Sequence, residues 1–292
     1  NTQFTEVGLT VGINRAHIEA NFDNRQYKGY DDFEEQPLLP RRLSAIGPGV
    51  AWTDMDADGD DDLYIAGAHK QAGMVYQNNG DKFESIANRL TPSELEEIAT
   101  VWQANGSFIS SFSKYETPNA PIAAILGGAQ ATQLSGKESG GALALSDIDG
   151  DGDLDLFIGG RALPNQWPLP ASSRLYRNDG NNYTDVTADV APGLLHLGLA
   201  TGAMWLDIDN DSDSDLLITT EYGPVRLFVN NQNKFEETTA TAGLDKWHGL
   251  WTGITAGDFN EDGYMDFAAA NWGLNTRYSA SEQYPLMLYA GN

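Results

Sequence analysis

The chain contains no cysteine, four histidines and no apolar run of the ~18 residues that a membrane-spanning helix requires. Without cysteine, neither disulfides nor thiolate metal sites can form. His17, His69, His196 and His248 lie far apart without metal-ligand spacing, and no serine-hydrolase elbow, zinc-protease motif or phosphate loop is present. We therefore identify no catalytic residue in the sequence.

Basic residues are also scarce. The chain of 292 residues has 17 Lys and Arg against 42 Asp and Glu, a net charge of -25. Such a charge repels nucleic acid and anionic membranes, which argues against both as partners and leaves cations as the natural counterpart. The Arg41/Arg42 pair and Arg161 are predicted to form salt bridges with nearby acids. The apolar fraction of 41% suffices for a sizeable core.

The acids are concentrated in a pattern that occurs four times: "DMDADGDDD" (54–62), "DIDGDGDLD" (147–155), "DIDNDSDSD" (207–215) and "DFNEDGYMD" (258–266). We call these stretches the four Asp loops. A second phrase follows the first three copies: "MVYQNNGDKFESI", "RLYRNDGNNYTDV" and "RLFVNNQNKFEET". Two β-prone runs around an Asn- and Gly-rich turn predict a β-hairpin. Each repeat is therefore a strand, an Asp loop, a strand and a hairpin.

Four strands in about 50 residues is the unit size of a β-propeller blade. We predict an all-β fold, a single β-propeller domain over residues 1–292 with about five four-stranded blades. The ring would be closed by pairing of the N- and C-terminal strands; a part of a seven-bladed ring, cut from a longer repeat array, is the alternative. The predicted blades span residues 45–90, 104–140, 141–190, 200–243 and 250–292 plus 1–9, with 10–44 as a long connection.

The predicted blade at 104–140 is degenerate. Lys114, Pro118 and Pro121 stand where the acids are expected, so this blade is predicted to lack an ion loop and, with little sequence after it, to have a trimmed outer hairpin. Just before it, residues 92–104 carry apolar side chains at helical spacing after a Pro and a Ser. They are predicted to form a short amphipathic helix.

The spacing of the Asp loops predicts calcium sites. Carboxylates at loop positions 1, 3, 5 and 9 and a carbonyl at position 7 can face one point if the chain curls, which Gly at position 6 permits. Hard oxygen ligands in this number favour calcium over magnesium or transition metals. About four ions are predicted, held by Asp54, Asp56, Asp58, Asp60, Asp62, Asp147, Asp149, Asp151, Asp153, Asp155, Asp207, Asp209, Asp211, Asp213, Asp215, Asp258, Asn260, Asp262, Tyr264 and Asp266.

Within this set, position 7 is predicted to contribute its carbonyl, at Asp60, Asp153, Asp213 and Tyr264. The third loop has Ser212 in place of Gly, and Asn260 replaces an acid in the fourth, which is predicted to bind more weakly. A helical EF-hand loop would have a bidentate Glu at position 12. Here that position is apolar, so each loop is predicted to join two strands and the ion to be structural rather than catalytic.

The phrase "GVAWTDMDADGDDDLYIAG" followed by "MVYQNNGDKFESI" resembles the FG-GAP and VCBS repeats, the calcium-bearing blades also found in integrin α propellers. The phrases "DLDLFIGGRALPNQWPLPASSRLYRNDG" and "AANWGLNTRYSASEQYPLMLYAGN" look like bacterial repeat proteins that often carry an ASPIC/UnbV module. The resemblance implies a calcium-binding propeller. It also implies the uses of such propellers in extracellular adhesion, ligand or glycan binding, and scaffolding.

Three functions remain open at this point. The first is an extracellular, cell-surface or periplasmic calcium-stabilised module for binding, adhesion or scaffolding, with a polysaccharide or another surface protein as partner. The second is a carbohydrate-active enzyme, a lyase or hydrolase, or a glycan-binding lectin on a propeller scaffold. The third is a structural segment of a longer adhesin or envelope protein. The tryptophans, including Trp167, Trp247, Trp251 and Trp272, are predicted to pack between blades, with sugar stacking as the alternative.

Overall fold

The computed structural model describes residues 10–13, 31–44, 46–47, 49–67, 71–86, 97–103, 107–115, 119–126, 132–180, 182–276 and 281–289. Strands dominate this part of the chain. Its α-helices are two single turns, α1 (Asp32–Glu35) and α2 (Thr187–Val190), beside two 3-10 turns. The predicted all-β class is confirmed.

The chain divides into two compact units, Asn1–Gly136 and Lys137–Asn292. The first unit contains two four-stranded antiparallel sheets in which neighbours in sequence are neighbours in space. This meander is the topology of a propeller blade. The first sheet consists of β1 (Val50–Thr53), β2 (Asp62–Ile65), β3 (Met74–Asn78) and β4 (Phe83–Ile86), and the second of β5 (Glu97–Gln103), β6 (Ser107–Phe112), β7 (Ala123–Leu126) and β8 (Thr132–Leu134).

The second unit repeats the same meander. One sheet consists of β9 (Ser139–Ser146), β10 (Asp155–Ala162), β11 (Arg174–Asn178) and β12 (Tyr183–Asp185). The next consists of β13 (Leu199–Leu206), β14 (Asp215–Gly223), β15 (Arg226–Asn230) and β16 (Phe235–Glu237). A further pair, β17 (Gly249–Gly257) and β18 (Asp266–Asn271), joins this sheet where the end of β14 meets the start of β17.

The second strand of each sheet in this unit is buried on both faces. All eight residues of β10 and the first seven of β14 are buried, which matches their nearly continuous apolar sequences. Phe157 and Leu175 of one sheet share a core with Leu216 and Phe228 of the next. Each such side chain contributes about 1.5–3 kcal/mol when buried. The sheets of the second unit therefore pack face to face, as propeller blades do.

The helix predicted over residues 92–104 is wrong for residues 97–103, and residues 92–96 and 104 lie outside the described residues. Residues 97–103 form β5, which pairs with β6 from Glu97 opposite Phe112 to Gln103 opposite Ser107. The side chains buried along β5 are Glu97, Thr100 and Gln103, and the apolar side chains between them are less buried. Pairing with the adjacent strand β6 thus overrides the local apolar spacing.

The second sheet also differs from the predicted degenerate blade. It begins at Glu97 rather than at residue 104, and it has an outer hairpin, β7 and β8. The segment containing Lys114 follows β6 and joins the second strand to the third, so it is not the equivalent of an Asp loop. Lys114 is buried, and its Nζ donates to the carbonyl of Gly136.

The remaining domain predictions stay predictions. Residues 1–9, predicted to complete the last blade, lie outside the described residues. In the predicted connection 10–44, the described residues 31–44 include α1, and the buried Asp32 accepts a hydrogen bond from the Ser44 amide through Oδ2, at 2.8 Å.

Candidate metal centres

Each Asp loop connects the first strand of a β-meander to the second. The last acid of each loop begins the second strand and lies opposite the end of the first, with Asp62 opposite Thr53 and Asp155 opposite Ser146. The predicted placement of the loops between two strands is confirmed by the elements that flank them, which are β1 and β2, β9 and β10, β13 and β14, and β17 and β18.

The first acid of every loop holds the chain in a tight curl. In the second loop, Asp147 Oδ1 accepts from the Asp151 amide at 3.2 Å, and Oδ2 accepts from the Gly152 amide at 3.0 Å. The same bonds from positions 5 and 6 to position 1 occur in the other loops, at Asp54, Asp207 and Asp258. The curl turns carboxylates that alternate in sequence toward a common centre.

Position 6 takes the left-handed backbone conformation that this curl needs. Gly152 has φ 93° and Gly263 φ 87°. Ser212 has φ 76° at the same position of the third loop, although a residue with a side chain is disfavoured there. The third loop therefore has the same backbone curl as the other Asp loops, although Ser212 takes the place of Gly.

The curl brings acids together in three of the four loops. Ligand atoms within 4.8 Å of one another are offered by Asp54, Asp56 and Asp58, by Asp147, Asp149 and Asp155, and by Asp207, Asp209 and Asp215. We call these groups the first, second and third Asp triads. Each could hold a metal ion.

The grouping differs in detail between the loops. Asp62 is not part of the first triad, and the position-5 acids Asp151 and Asp211 are not part of the second and third. In the fourth loop, Asn260 donates from Nδ2 to Asp262 Oδ2 at 3.0 Å, so the amide already pairs with the carboxylate beside it. Weaker binding by the fourth loop stays a prediction.

The position-7 residues are held by their neighbours. In every loop the amide of position 7 donates to the Oδ1 of position 5, at 2.8–3.0 Å, in Asp60, Asp153, Asp213 and Tyr264. Asp153 Oδ2 also accepts from the Gly180 amide at 2.7 Å. The predicted contribution of the four carbonyls to an ion stays a prediction.

The last acid of each loop has a second role that the sequence analysis did not include. Asp155 accepts from the Ile148 amide through Oδ2 and from the Asn178 amide through Oδ1, both at 2.8 Å. Asp215 receives the same two bonds, from Ile208 and Asn230, again at 2.8 Å. Asp62 is bound in the same way by the amides of Met55 and Asn78.

These bonds join the Asp loop to the third strand of its own sheet. The asparagines concerned are the last residues of β3, β11 and β15, and they open the turns of the "QNNG", "RNDG" and "VNNQ" phrases. Their recurrence was visible in the sequence, but there it indicated a hairpin turn. One such Asn follows each of the first three Asp loops in the sequence. This recurrence was the feature that could have indicated a hydrogen-bond partner for the loop.

Burial disfavours the charged form of three acids in the second and third triads. Burial raises the pKa of Asp155 to about 6, although the Asn178 and Ile148 amides oppose the shift. The pKa of Asp215 is raised by burial and by the charges of Asp209 and Asp211. Burial and the neighbouring Asp151 charge raise the pKa of Asp149, and its Oδ1 is buried without a hydrogen-bond partner. A cation would relieve both the repulsion and the unmet acceptor.

The donor set fits calcium. The triads offer carboxylate oxygens, and backbone carbonyls are available in the same curl, whereas no His or Cys belongs to any of the three groups. Calcium accepts such hard oxygens in flexible numbers. An ion in the second or third loop would be held by buried and half-buried acids where the first strand of the sheet leads into the second. At this position it would stabilise the connection between the two strands.

Arginine–carboxylate pairs hold the hairpins of the second unit. Arg174 contacts Asp185 at 2.9 Å, and Asp185 Oδ1 accepts from the Thr187 hydroxyl at 2.6 Å. Burial alone would raise the pKa of Asp185, but the hydroxyl, the Thr187 amide and Arg174 outweigh it and lower the pKa below its usual range. Arg226 and Glu237 repeat this arrangement one sheet later.

Of the arginines predicted to form salt bridges, Arg42 and Arg161 do so. Arg161 of β10 contacts Glu221 of β14 at 2.7 Å, with 4% and 5% of the two side chains exposed. Arg42 lies 3.9 Å from Asp31.

His17 and His69 lie outside the described residues, while His196 and His248 lie in loops. None of the helices in the described ranges is long and apolar enough to cross a membrane.

FG-GAP-like repeats match residues 147–218 and 207–269, which contain the second, third and fourth Asp loops. The chain is also similar to cartilage acidic protein 1 of Mus musculus, with 31% identity over 279 residues that cover 92% of this chain and 37% of that protein. The protein of the same name from Homo sapiens is 24% identical over 277 residues, covering 90% and 37%. The chain thus spans about a third of the length of these relatives.

The predicted FG-GAP repeat character is confirmed for these residues. The relatives named above are vertebrate proteins, so the predicted likeness to bacterial repeat proteins stays a prediction.

Proposed function

We propose that the chain is an extracellular, calcium-stabilised β-propeller module that serves in binding, adhesion or scaffolding. The observation that carries the proposal is the convergence of carboxylates in the three Asp triads, each at the same strand connection of a blade-like sheet. The FG-GAP-like match over residues 147–269 supports it. The ligands we propose are the twenty residues predicted from the loop spacing, with about four calcium ions.

Calcium in these loops would stabilise the fold. Two carboxylates about 4 Å apart repel by ~1 kcal/mol even in water, and a bound cation replaces this repulsion by attraction. A site with a dissociation constant of ~0.1 mM at ~1 mM free calcium adds roughly 1.4 kcal/mol. Affinities of this order are typical of extracellular calcium modules, which is why we propose an extracellular, cell-surface or periplasmic location.

Thermal unfolding of the full chain in calcium, in magnesium and in chelator tests this proposal. At roughly 2–4 °C per kcal/mol, each occupied site raises the unfolding midpoint by about 3–6 °C. We expect calcium to raise the midpoint and magnesium to have a much smaller effect. A variant with Asp149→Asn and Asp209→Asn should lose part of the calcium response. Equal midpoints in calcium and chelator would contradict the proposal.

Exposed aromatic side chains in the fourth loop and just before β17 support a ligand-binding role. Trp247 is 52% exposed, Phe259 60% and Tyr264 62%. The prediction that the tryptophans pack between blades is therefore wrong for Trp247. Exposed aromatic rings stack on sugars and contact protein partners. We propose a polysaccharide or another surface protein as partner, and a glycan array in calcium with Trp247→Ala as the control tests the first. Loss of signal in the control would support a glycan.

A further inference from the structure

Two hydrogen bonds connect the sheet of the second Asp loop with the sheet of the third, each ending on a residue of one of these loops. Asn230, the last residue of β15, is fully buried, and its Nδ2 donates to the carbonyl of Ile148 at 3.2 Å. Ser146 Oγ donates to Ser214 Oγ at 2.8 Å. Ser146 and Ile148 lie on either side of the first acid of the second loop, and Ser214 directly precedes the last acid of the third. Both bonds therefore attach beside carboxylates of the second and third triads.

The bond through Asn230 is part of a continuous path. The Ile148 amide donates to Asp155 Oδ2 at 2.8 Å, and the Asn230 amide donates to Asp215 Oδ1 at 2.8 Å. Asp155 and Asp215 belong to the second and third triads. One acid of each candidate site is thus linked to the other through two residues, and each step is a hydrogen bond of normal length.

The groups along this path are held in place. Asn230 Oδ1 accepts from the Asn233 amide at 2.9 Å, which directs Nδ2 of the same side chain toward Ile148. The Ile148 side chain is 6% exposed and belongs to the core that also contains Phe228. A close-packed core transmits small shifts instead of absorbing them. A displacement of Ile148 must therefore move Asn230 or break its bond.

We propose that the second and third Asp loops bind calcium with positive cooperativity through Asn230. This inference rests on the proposed function. An ion in the second loop fixes Asp155 and Ile148, which fixes Asn230 and presents Asp215 to the third site in its ligating position. The second ion then orders fewer groups than the first did, and the effect is reciprocal.

The first repeat supplies a matched control. Asn78 occupies the position equivalent to Asn230, its amide donates to Asp62 Oδ1 at 2.8 Å, and its Oδ1 accepts from the Gly80 amide at 3.0 Å. Its Nδ2, however, donates to the carbonyl of Asp61 in its own loop, at 3.2 Å. Asn78→Ala therefore removes the same kind of side chain without touching the bond between the second and third loops.

The test is a calorimetric calcium titration of the full chain. The first and fourth loops are disabled by Asp56→Asn and Asp262→Asn, which leaves the second and third sites. The third is then disabled by Asp209→Asn, and the affinity of the second site is measured with and without its neighbour. We expect the loss of the third site to weaken the second about fivefold or more, the lower bound of typical site coupling.

The same comparison is made in two further backgrounds. With Asn230→Ala, disabling the third loop should change the affinity of the second by less than about twofold, whereas with Asn78→Ala the fivefold effect should persist. If Asn230→Ala does not fold, as judged by circular dichroism, Asn230→Leu removes the same Nδ2 donor with a side chain of similar size. A reduced coupling then supports the inference, and an unchanged coupling overturns it.

The outcomes separate this inference from the proposed function. If the second and third sites bind calcium independently, the proposed cooperativity is overturned and the proposed calcium-stabilised module is not. No calcium binding by the parent chain overturns the proposed function itself. Equal loss of coupling in Asn78→Ala and Asn230→Ala would show that Asn230 is not the connecting residue.

Discussion

Replacing Asp155 by asparagine separates the two roles of the last acid in an Asp loop. As a candidate ligand, Asp155 contributes one oxygen to the second triad. As a structural acceptor, it binds the amides of Ile148 and Asn178, each at 2.8 Å. Asparagine keeps one acceptor oxygen but places an NH2 group against the other amide. One buried N–H therefore loses its partner even when no metal is bound.

The expected cost follows from that lost bond. An unsatisfied buried donor costs about 1–3 kcal/mol. Loss of the carboxylate also removes an unfavourable charge, since burial raises the pKa of Asp155 to about 6, and this offsets part of the cost. A net destabilisation of about 2 kcal/mol lowers the unfolding midpoint by roughly 4–8 °C in chelator.

Asp149→Asn is the matched variant, because Asp149 Oδ1 is buried without a hydrogen-bond partner. Its replacement removes a repelling charge and no hydrogen bond at that oxygen. We expect its midpoint in chelator to equal that of the parent or exceed it, and its response to calcium to be reduced. Thermal unfolding of both variants, in chelator and in calcium, is the assay.

Two results would refute this reasoning. A parent-like midpoint for Asp155→Asn in chelator would show that the two amide bonds contribute nothing to stability. A drop of similar size in Asp149→Asn would show that the acids of the second triad are equivalent and that the hydrogen bonds do not separate their roles.

Three further predictions concern the second unit. Asp185→Asn should cost about 1 kcal/mol at neutral pH. Because the folded pKa of Asp185 is lowered, the stability it contributes is present above its unfolded value near 3.8 and is lost as pH falls through the folded value, so urea curves of parent and variant should converge below pH 3.8. Glu221→Gln leaves Arg161 buried without its anionic partner and should cost about 3–5 kcal/mol in chemical denaturation; a smaller cost than Asp185→Asn would contradict the burial argument. Gly160→Ala places a Cβ against the Ser172 carbonyl oxygen, closer than van der Waals contact allows, and should destabilise by about 1–3 kcal/mol in the same assay, whereas a neutral result would mean that the backbone can move apart there.

The all-β class, the repeat and the position of the Asp loops could be predicted because each depends on local sequence. Alternating acids, a Gly at position 6 and β-prone flanks fix a loop between two strands within about twenty residues. Three of the four predicted acid groups converge for the same reason. Which acids converge could not be predicted, since position 5 joins the first triad through Asp58 whereas position 9 joins the second and third through Asp155 and Asp215, although the loop spacing is the same in all three.

The first strand of the second sheet, β5, could not be predicted because its burial pattern depends on the side chains of other strands. Glu97 is buried in β5, where its Oε2 accepts from the Tyr64 hydroxyl at 3.0 Å and from Ser110 Oγ at 2.9 Å. A charged residue at a buried position opposes the usual strand pattern, so apolar spacing favoured a helix. The hydroxyls of Tyr64 in β2 and Ser110 in β6 help to make the burial of Glu97 acceptable.

The recurrence of the Asn hairpin after the Asp loop now has a physical reason. An Asp loop alone would place its last carboxylate at the start of a buried strand with unmet acceptors. The amide of the hairpin asparagine satisfies one of them in each of the first three repeats, at Asn78, Asn178 and Asn230. Because the donor is a backbone N–H, the bond depends more on where the hairpin lies than on which side chain the donor residue carries. The two phrases therefore recur together as one unit, in which the hairpin holds the loop whether or not a cation is bound.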